Sequence, residues 1–242
     1  RDGARLSGDE RVTRMLRHNR VDLALHELRR AIDPTGWPLL LLHGLGEASP
    51  TEVPPWAVEW PGAVAALDFT GHGASTVPRG GGYTAEILLG DADAALDALT
   101  DGAAARSITV VGRGLGAYIA LQLAGARAAQ VHGAVLTDGP GLAGGPTGPS
   151  SESFFSRPTN GAAPEPYALF ERSSDLRPPD YATSFVRLAI AGSPLVEPIA
   201  VSSVFRPEWL AAISREHGVM EVPSVEALRT YASRPDDRPS VP

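Results

Sequence analysis

The sequence predicts an α/β fold, with a mainly parallel central sheet flanked by helices, and three observations predict it. Short apolar runs such as Leu39–Leu42 recur along the chain, and a run without polar alternation fits a strand buried on both faces. Stretches with helical spacing of apolar residues separate these runs. Glycine-rich turns follow the runs, at what would be the carboxyl ends of the strands, where open α/β sheets bind ligands. Strand alternating with helix is the pattern that builds a parallel sheet.

Residues 1–13 are polar and arginine-rich and read as a loose tail. From Arg14 to Leu28 the chain reads as a hairpin with Asn19-Arg20 near its turn, because Val21, Leu23 and Leu25 alternate with Asp22, Ala24 and His26. Pro34-Thr35-Gly36 marks a turn. Buried strands are expected at Leu39–Leu42, Ala63–Asp68, Ser107–Val111 and Gly133–Thr137. Tyr83–Leu99 places Ile87, Leu88, Ala92, Ala95, Leu96 and Leu99 on one helical face, with Thr84 as its N-cap. Gly112–Gly116 turns tightly into a helix that runs to about Ala126. Glycine, proline and serine become dense from Gly139, so a cap leaves the core over 139–191, with helical stretches near Tyr167–Arg172 and Pro179–Ala191. A strand at Pro198–Ser202, a helix at Pro207–His217, a strand at Val219–Val222 and a helix at Val225–Ala232 complete the pattern. The core is therefore expected over 14–138 and 192–234, with flexible tails at 1–13 and 235–242.

Composition removes several classes of function. The 242 residues include 21 arginines and no lysine, so Schiff-base chemistry has no amine to use. The absence of cysteine removes thiol nucleophiles, disulfides and thiolate metal sites. A formal charge of −7 argues against nucleic-acid binding, which needs a clustered positive surface. The longest apolar run is far too short to span a bilayer. No signal peptide is visible in a chain that starts at Arg1, and a cytoplasmic location is the default expectation. The arginine-for-lysine bias with abundant alanine and glycine points to a bacterial genome of high GC content.

The turn after Ser107–Val111 fits two motifs. Gly112-Arg113-Gly114-Leu115-Gly116-Ala117 matches G-x-G-x-x-A, in which a helix N-terminus holds the pyrophosphate of a dinucleotide. Asp138, 24 residues after Gly114, would then contact a ribose. The same residues fit the nucleophile elbow G-x-S-x-G, with Gly114 in place of serine. The neighbouring motifs favour the elbow. His43-Gly44-Leu45-Gly46 looks like the H-G-x-G oxyanion loop, and Asp68-Phe69-Thr70-Gly71-His72-Gly73-Ala74-Ser75 looks like a D-x-x-G-x-G-x-S loop. With these three motifs in order, the chain resembles the α/β-hydrolase superfamily from about Arg14 to Ala232.

The resemblance implies a nucleophile, a histidine and an acid, and the sequence departs from it at each position. Gly114 has no side chain to attack with. The family's acid usually follows the strand matched by Pro198–Ser202, where this chain reads Ser202-Ser203-Val204-Phe205-Arg206. Its histidine usually follows the last strand, where this chain reads Pro223-Ser224-Val225-Glu226; His217 precedes that strand and belongs at the opposite edge. Asp138 is the candidate replacement acid, or else a cap for the turn Gly139-Pro140-Gly141. The resemblance assigns the backbone amides of Leu45 and Leu115 as oxyanion donors, with His43, Gly44 and Arg113 counted in the same ligand-binding site; it makes His72 structural, and His43 either structural, bonding neighbouring backbone, or catalytic. With glycine at 114 that pocket is expected to be wider by one side chain, so that a carboxylate, carbonyl or water can sit beside Gly44. Arg113 either binds an anionic ligand or pairs with a neighbouring acid. His132 is expected at a solvated lower edge. Phe154, Phe155, Tyr167, Phe170, Tyr181 and Phe185 would line a pocket or pack the cap.

Three functions follow. The first is a catalytically silent hydrolase-fold protein that binds a small carbonyl or carboxylate ligand, or a protein partner, a homodimer included. The second is a divergent hydrolase, lyase or isomerase with Asp138 as base and the Leu45 and Leu115 amides as oxyanion site. The third is dinucleotide binding at Gly112–Ala117. No cofactor or metal is expected for the first two.

Overall fold

A computed structural model describes residues 11–78, 84–103, 106–142 and 178–233. These residues form an eight-stranded sheet: β1 (Val12–His18), β2 (Val21–Arg29), β3 (Leu39–Leu42), β4 (Val64–Leu67), β5 (Ile108–Arg113), β6 (Val131–Thr137), β7 (Ile199–Ser202) and β8 (Val219–Glu221). The strand order is β1-β2-β4-β3-β5-β6-β7-β8. β1 runs antiparallel to β2 and β2 antiparallel to β4, while the remaining neighbours are parallel. The helices are α1 (Ala85–Thr100), α2 (Leu115–Ala126), α3 (Pro179–Gly192), α4 (Glu208–Ile213) and α5 (Ser224–Ala232). The expected fold class stands, and β1 begins at Val12, inside the stretch expected as a tail.

The all-leucine β3 shows why the central strands lack polar alternation. Leu40 and Leu42 enter the core beneath α1 and α2, whereas Leu39 and Leu41 enter a second core with Trp60, Leu228 and Tyr231. Successive side chains alternate faces, and both faces are covered. Thr84 caps α1 by accepting a hydrogen bond from the Ile87 amide, as its sequence position predicts. α3, expected as the last helix of the cap, packs Ala182, Val186 and Ala189 into the main core. Tyr181 and Phe185 of α3 meet edge to face with ring centroids 5.2 Å apart. The other four cap aromatics and the helix expected near Tyr167–Arg172 lie outside the described residues.

A buried polar chain ties the β1–β2 hairpin to the loop after β4. The Thr13 hydroxyl lies 2.8 Å from His26 Nδ1, and His26 Nε2 lies 2.9 Å from Asp68 Oδ2. The Ser49 and Ala74 amides also donate to the Asp68 carboxylate. Burial works against its charge, but the His26 hydrogen bond, the neighbouring imidazole of His43 and the two amides hold its pKa well below the usual range. On α1, Asp91 accepts from the Thr70 amide and meets His18 Nδ1 at 2.7 Å; burial raises its pKa.

His132 is not solvated. It is buried on β6 and its ring centroid lies 3.9 Å from that of Trp37. Next to it Gly133 has φ +91°, and a Cβ there would come within 2.4 Å of the Tyr231 ring. Gly133→Ala combines left-handed strain with overpacking and is expected to cost about 2–4 kcal/mol. Urea unfolding monitored by circular dichroism measures it.

Candidate functional site

β5 ends in a sharp turn into α2, and the turn residue is Gly114, with φ +53° and ψ −113°. An L-residue is strained there, and the strain is what lifts an elbow residue above the sheet. The flanking glycines allow the bend: a Cβ on Gly112 would sit 2.1 Å from the Gly116 carbonyl oxygen, and one on Gly116 2.3 Å from that of Leu42. The elbow is therefore built in full, with glycine at its tip.

The space above the tip is filled. The Leu45 amide donates to the Pro140 carbonyl oxygen at 2.9 Å and the Leu115 amide donates to the same oxygen at 3.0 Å. These two amides are the oxyanion donors that the resemblance assigns, and they converge on one oxygen as such donors must. That oxygen belongs to the protein's own chain. A Cβ on Gly114 would lie 2.3 Å from it and 2.5 Å from the Gly139 carbonyl carbon. The expectation of a pocket widened by one side chain is thus overturned: the backbone of 139–140 occupies the volume where a side chain at 114 would begin. Neighbouring positions are small for the same reason. A Cβ on Gly44 would come within 2.9 Å of the Pro140 ring, and one on Gly139 within 2.5 Å of Arg113 Cγ.

Beneath this plug lies a buried ion pair. The Arg113 side chain has no exposed surface. Its Nε donates to both carboxylate oxygens of Glu47, at 3.1 and 3.2 Å, and its Nη1 donates to the Asp138 carbonyl at 2.7 Å. Glu47 also accepts from the Gly44 amide at 2.9 Å. Of the two roles open to Arg113, the geometry displays the ion pair with a neighbouring acid. The Asp138 carboxylate, also buried, accepts through Oδ2 from the Phe205 amide in the loop after β7. It thereby anchors the loop that follows the strand where the family's acid is expected.

His43 is fully buried; its Nδ1 donates to the Gly44 carbonyl at 2.7 Å and its Nε2 accepts from the Phe69 amide at 3.1 Å. These partners define the Nδ1–H tautomer of a neutral ring. Burial depresses its pKa, outweighing the raising influence of Asp68, the Gly44 carbonyl and Glu47. His72 accepts from the Gly46 amide and donates to the Thr70 carbonyl, fixing the same two loops. Both histidines hold backbone. Among the described residues no cluster of three or more metal-ligating side chains occurs.

Sequence reasoning missed Glu47 and Pro140. Glu47 stands three residues beyond Gly44, close enough to cap that amide, which is the one local signal it offers. Pro140 acts through its backbone carbonyl, and only its flanking glycines hint at a tightly threaded loop.

The strand order, the elbow and the two convergent amides define an α/β-hydrolase fold. The chain belongs to the serine aminopeptidase family S33, whose profile matches residues 33–167. No curated protein matches the chain in sequence. Among solved structures, it is similar to a proline iminopeptidase from Mycobacterium smegmatis (18% identity, TM-score 0.45, 52% of this chain and 43% of that one). It is also similar to an epoxide hydrolase from Vigna radiata (24% identity, TM-score 0.43, 57% and 43%). The chain thus spans less than half the length of either. A thioesterase domain from the curacin biosynthetic pathway aligns over 93% of this chain and 98% of its own, at 14% identity and TM-score 0.58, a likeness of fold. No helix among the described residues is long and apolar enough to cross a membrane.

Two outcomes follow from this geometry. Glu47→Ala strands a buried guanidinium and is expected to cost about 3–5 kcal/mol in urea unfolding. The depressed pKa of His43 means that the unfolded chain binds a proton that the folded one refuses. Its contribution to stability is complete above about pH 6.5 and is lost as pH falls, by up to about 1.4 kcal/mol per pH unit. His43→Gln removes this share of the slope, read as the difference between the two stability–pH curves between pH 5 and 7.

Proposed function

We propose that this protein is a non-catalytic member of its family that acts by binding, with its oxyanion amides turned into a clamp on its own chain. One observation carries the reading: the Pro140 carbonyl accepts from both the Leu45 and Leu115 amides, beside the point where a Gly114 side chain would begin. A substrate carbonyl needs those donors, and freeing them breaks two hydrogen bonds, each worth about 1 kcal/mol, while the displaced carbonyl must find new partners. No side-chain nucleophile stands at the elbow, and the chain has no histidine after β8. The clamp also argues against the dinucleotide alternative. A pyrophosphate at Gly112–Ala117 would need the amide at the start of α2, which Pro140 already holds.

The ligand of such a protein is sought elsewhere than in the oxyanion pair. The competing reading, a divergent hydrolase, requires the 139–140 segment to withdraw so that Asp138 and the two amides can face a substrate. Turnover of a panel of p-nitrophenyl acyl esters separates the two. The expected result is no rate above buffer for the wild type. Gly114→Ser is expected to remain inactive and to lose about 1–3 kcal/mol of stability, because its Cβ meets Pro140 and its backbone is strained. A wild-type rate abolished by Asp138→Asn would establish the divergent hydrolase. A rate indifferent to that substitution would place an active site away from Asp138, and either rate overturns the silent reading.

A further inference from the structure

Two adjoining cavities open at the N-terminal ends of the parallel strands, at the opposite end of the sheet from Pro140. One has a volume of about 310 Å³ and lies under the C-terminal end of α1. Its floor is apolar, formed by Leu25, Ala63, Ala65 and Leu99. The second, of about 530 Å³, shares Pro38, Ala63 and Leu99 with the first and continues past Trp37. Both volumes fall in the range of small-molecule sites.

The rim is basic. Arg14 and Arg30 border the first cavity with Glu27, and Arg106 borders the second. Of the six arginines and two acids in residues 11–30, Arg14, Arg30 and Glu27 line the first cavity, a local charge of +1 in a chain whose formal charge is −7. The rim arginines are weakly neutralised. Arg14 donates to a neutral acceptor, the Ala98 carbonyl, at 2.8 Å. Arg30 lies 3.8 Å from Glu27 with its side chain 86% exposed. Arg106 pairs with Asp101 in open solvent, where such pairs are worth little. A guanidinium fork suits a carboxylate, and the alanine and leucine floor suits a hydrocarbon.

We infer that this groove binds a small amphipathic carboxylate, its apolar body on Leu25, Ala65 and Leu99 and its carboxylate at Arg14 and Arg30. This goes beyond the silent reading and does not depend on it, because ester turnover and groove binding are read in separate assays. The test is calorimetric titration of the full chain with octanoate, and with 1-octanol as the uncharged control. Octanoate is expected to bind with a negative heat-capacity change, the mark of apolar burial, and more weakly as salt is added. Arg14→Gln and Arg30→Gln, both at the solvent edge, are each expected to weaken octanoate binding about tenfold (about 1.4 kcal/mol) and to leave unfolding unchanged. Absence of binding overturns the inference. So does octanoate binding that survives both substitutions together, or 1-octanol binding as tightly as octanoate.

Discussion

A guanidinium with no exposed surface has to be neutralised where it stands, and Arg113 imposes that condition on three strand ends at once. Its acid comes from the loop after β3, as Glu47, and its neutral acceptor comes from the end of β6, as the Asp138 carbonyl. Glu47 in turn takes the Gly44 amide, so the loop that carries Leu45 is fixed relative to β5. Asp138 passes the constraint on to the loop after β7 through the Phe205 amide. With these ends pinned, the 139–140 segment is led directly over the elbow, and the carbonyl of Pro140 arrives between the two amides. Pinning and plugging are one arrangement. In a low-dielectric interior, each of these bonds is costly to break singly, because its partner is left buried and unmet.

The sheet was legible in the sequence where its determinants are local. The four leucines of β3, the alternation in β2 and the Thr84 cap each act within a few residues, and the motifs after β3, β4 and β5 mark strand ends by backbone necessity. The contents of the site were less legible because they depend on residues that meet across long separations. Gly114 could be read as a missing nucleophile, yet the conclusion that it leaves space was wrong, since what fills the space is a backbone carbonyl, which any residue possesses. Arg113 could be read as a cation in need of an acid, but not which acid. His132 looked solvated from its place at a strand start, and the fold instead lays Trp37 over it. The glycine and proline before α3 marked where the chain leaves the core, while the apolar stripe of Ala182, Val186 and Ala189 marked the face of α3 that packs onto it.

The two ends of the sheet differ in character. Among the described residues at the carboxyl ends of the parallel strands, Arg113, Glu47 and Asp138 are bonded within the protein and the 139–140 backbone fills the place above the elbow. At the amino ends, an alanine-rich floor remains open and arginines stand at its edge with surface or neutral partners. Open α/β sheets ordinarily concentrate ligand chemistry at the carboxyl ends. Among the described residues here, the 139–140 backbone takes up the oxyanion amides at that end, and the arginine-edged apolar groove lies at the other.

The glycine at the elbow also has a bearing on the course of the neighbouring loop. Position 114 keeps the backbone angles of a nucleophile, and glycine holds them without the steric strain a side chain would suffer. With no side chain at 114, the turn does not require its surroundings to leave room for a hydroxyl, and the 139–140 backbone lies where one would begin. A serine at this position meets an occupied volume, so placing an attacking group there requires the loop to withdraw in the same step. The close approach of Pro140 thus ties the identity of residue 114 to the course of the loop that follows β6: a side chain there and the present path of 139–140 exclude one another.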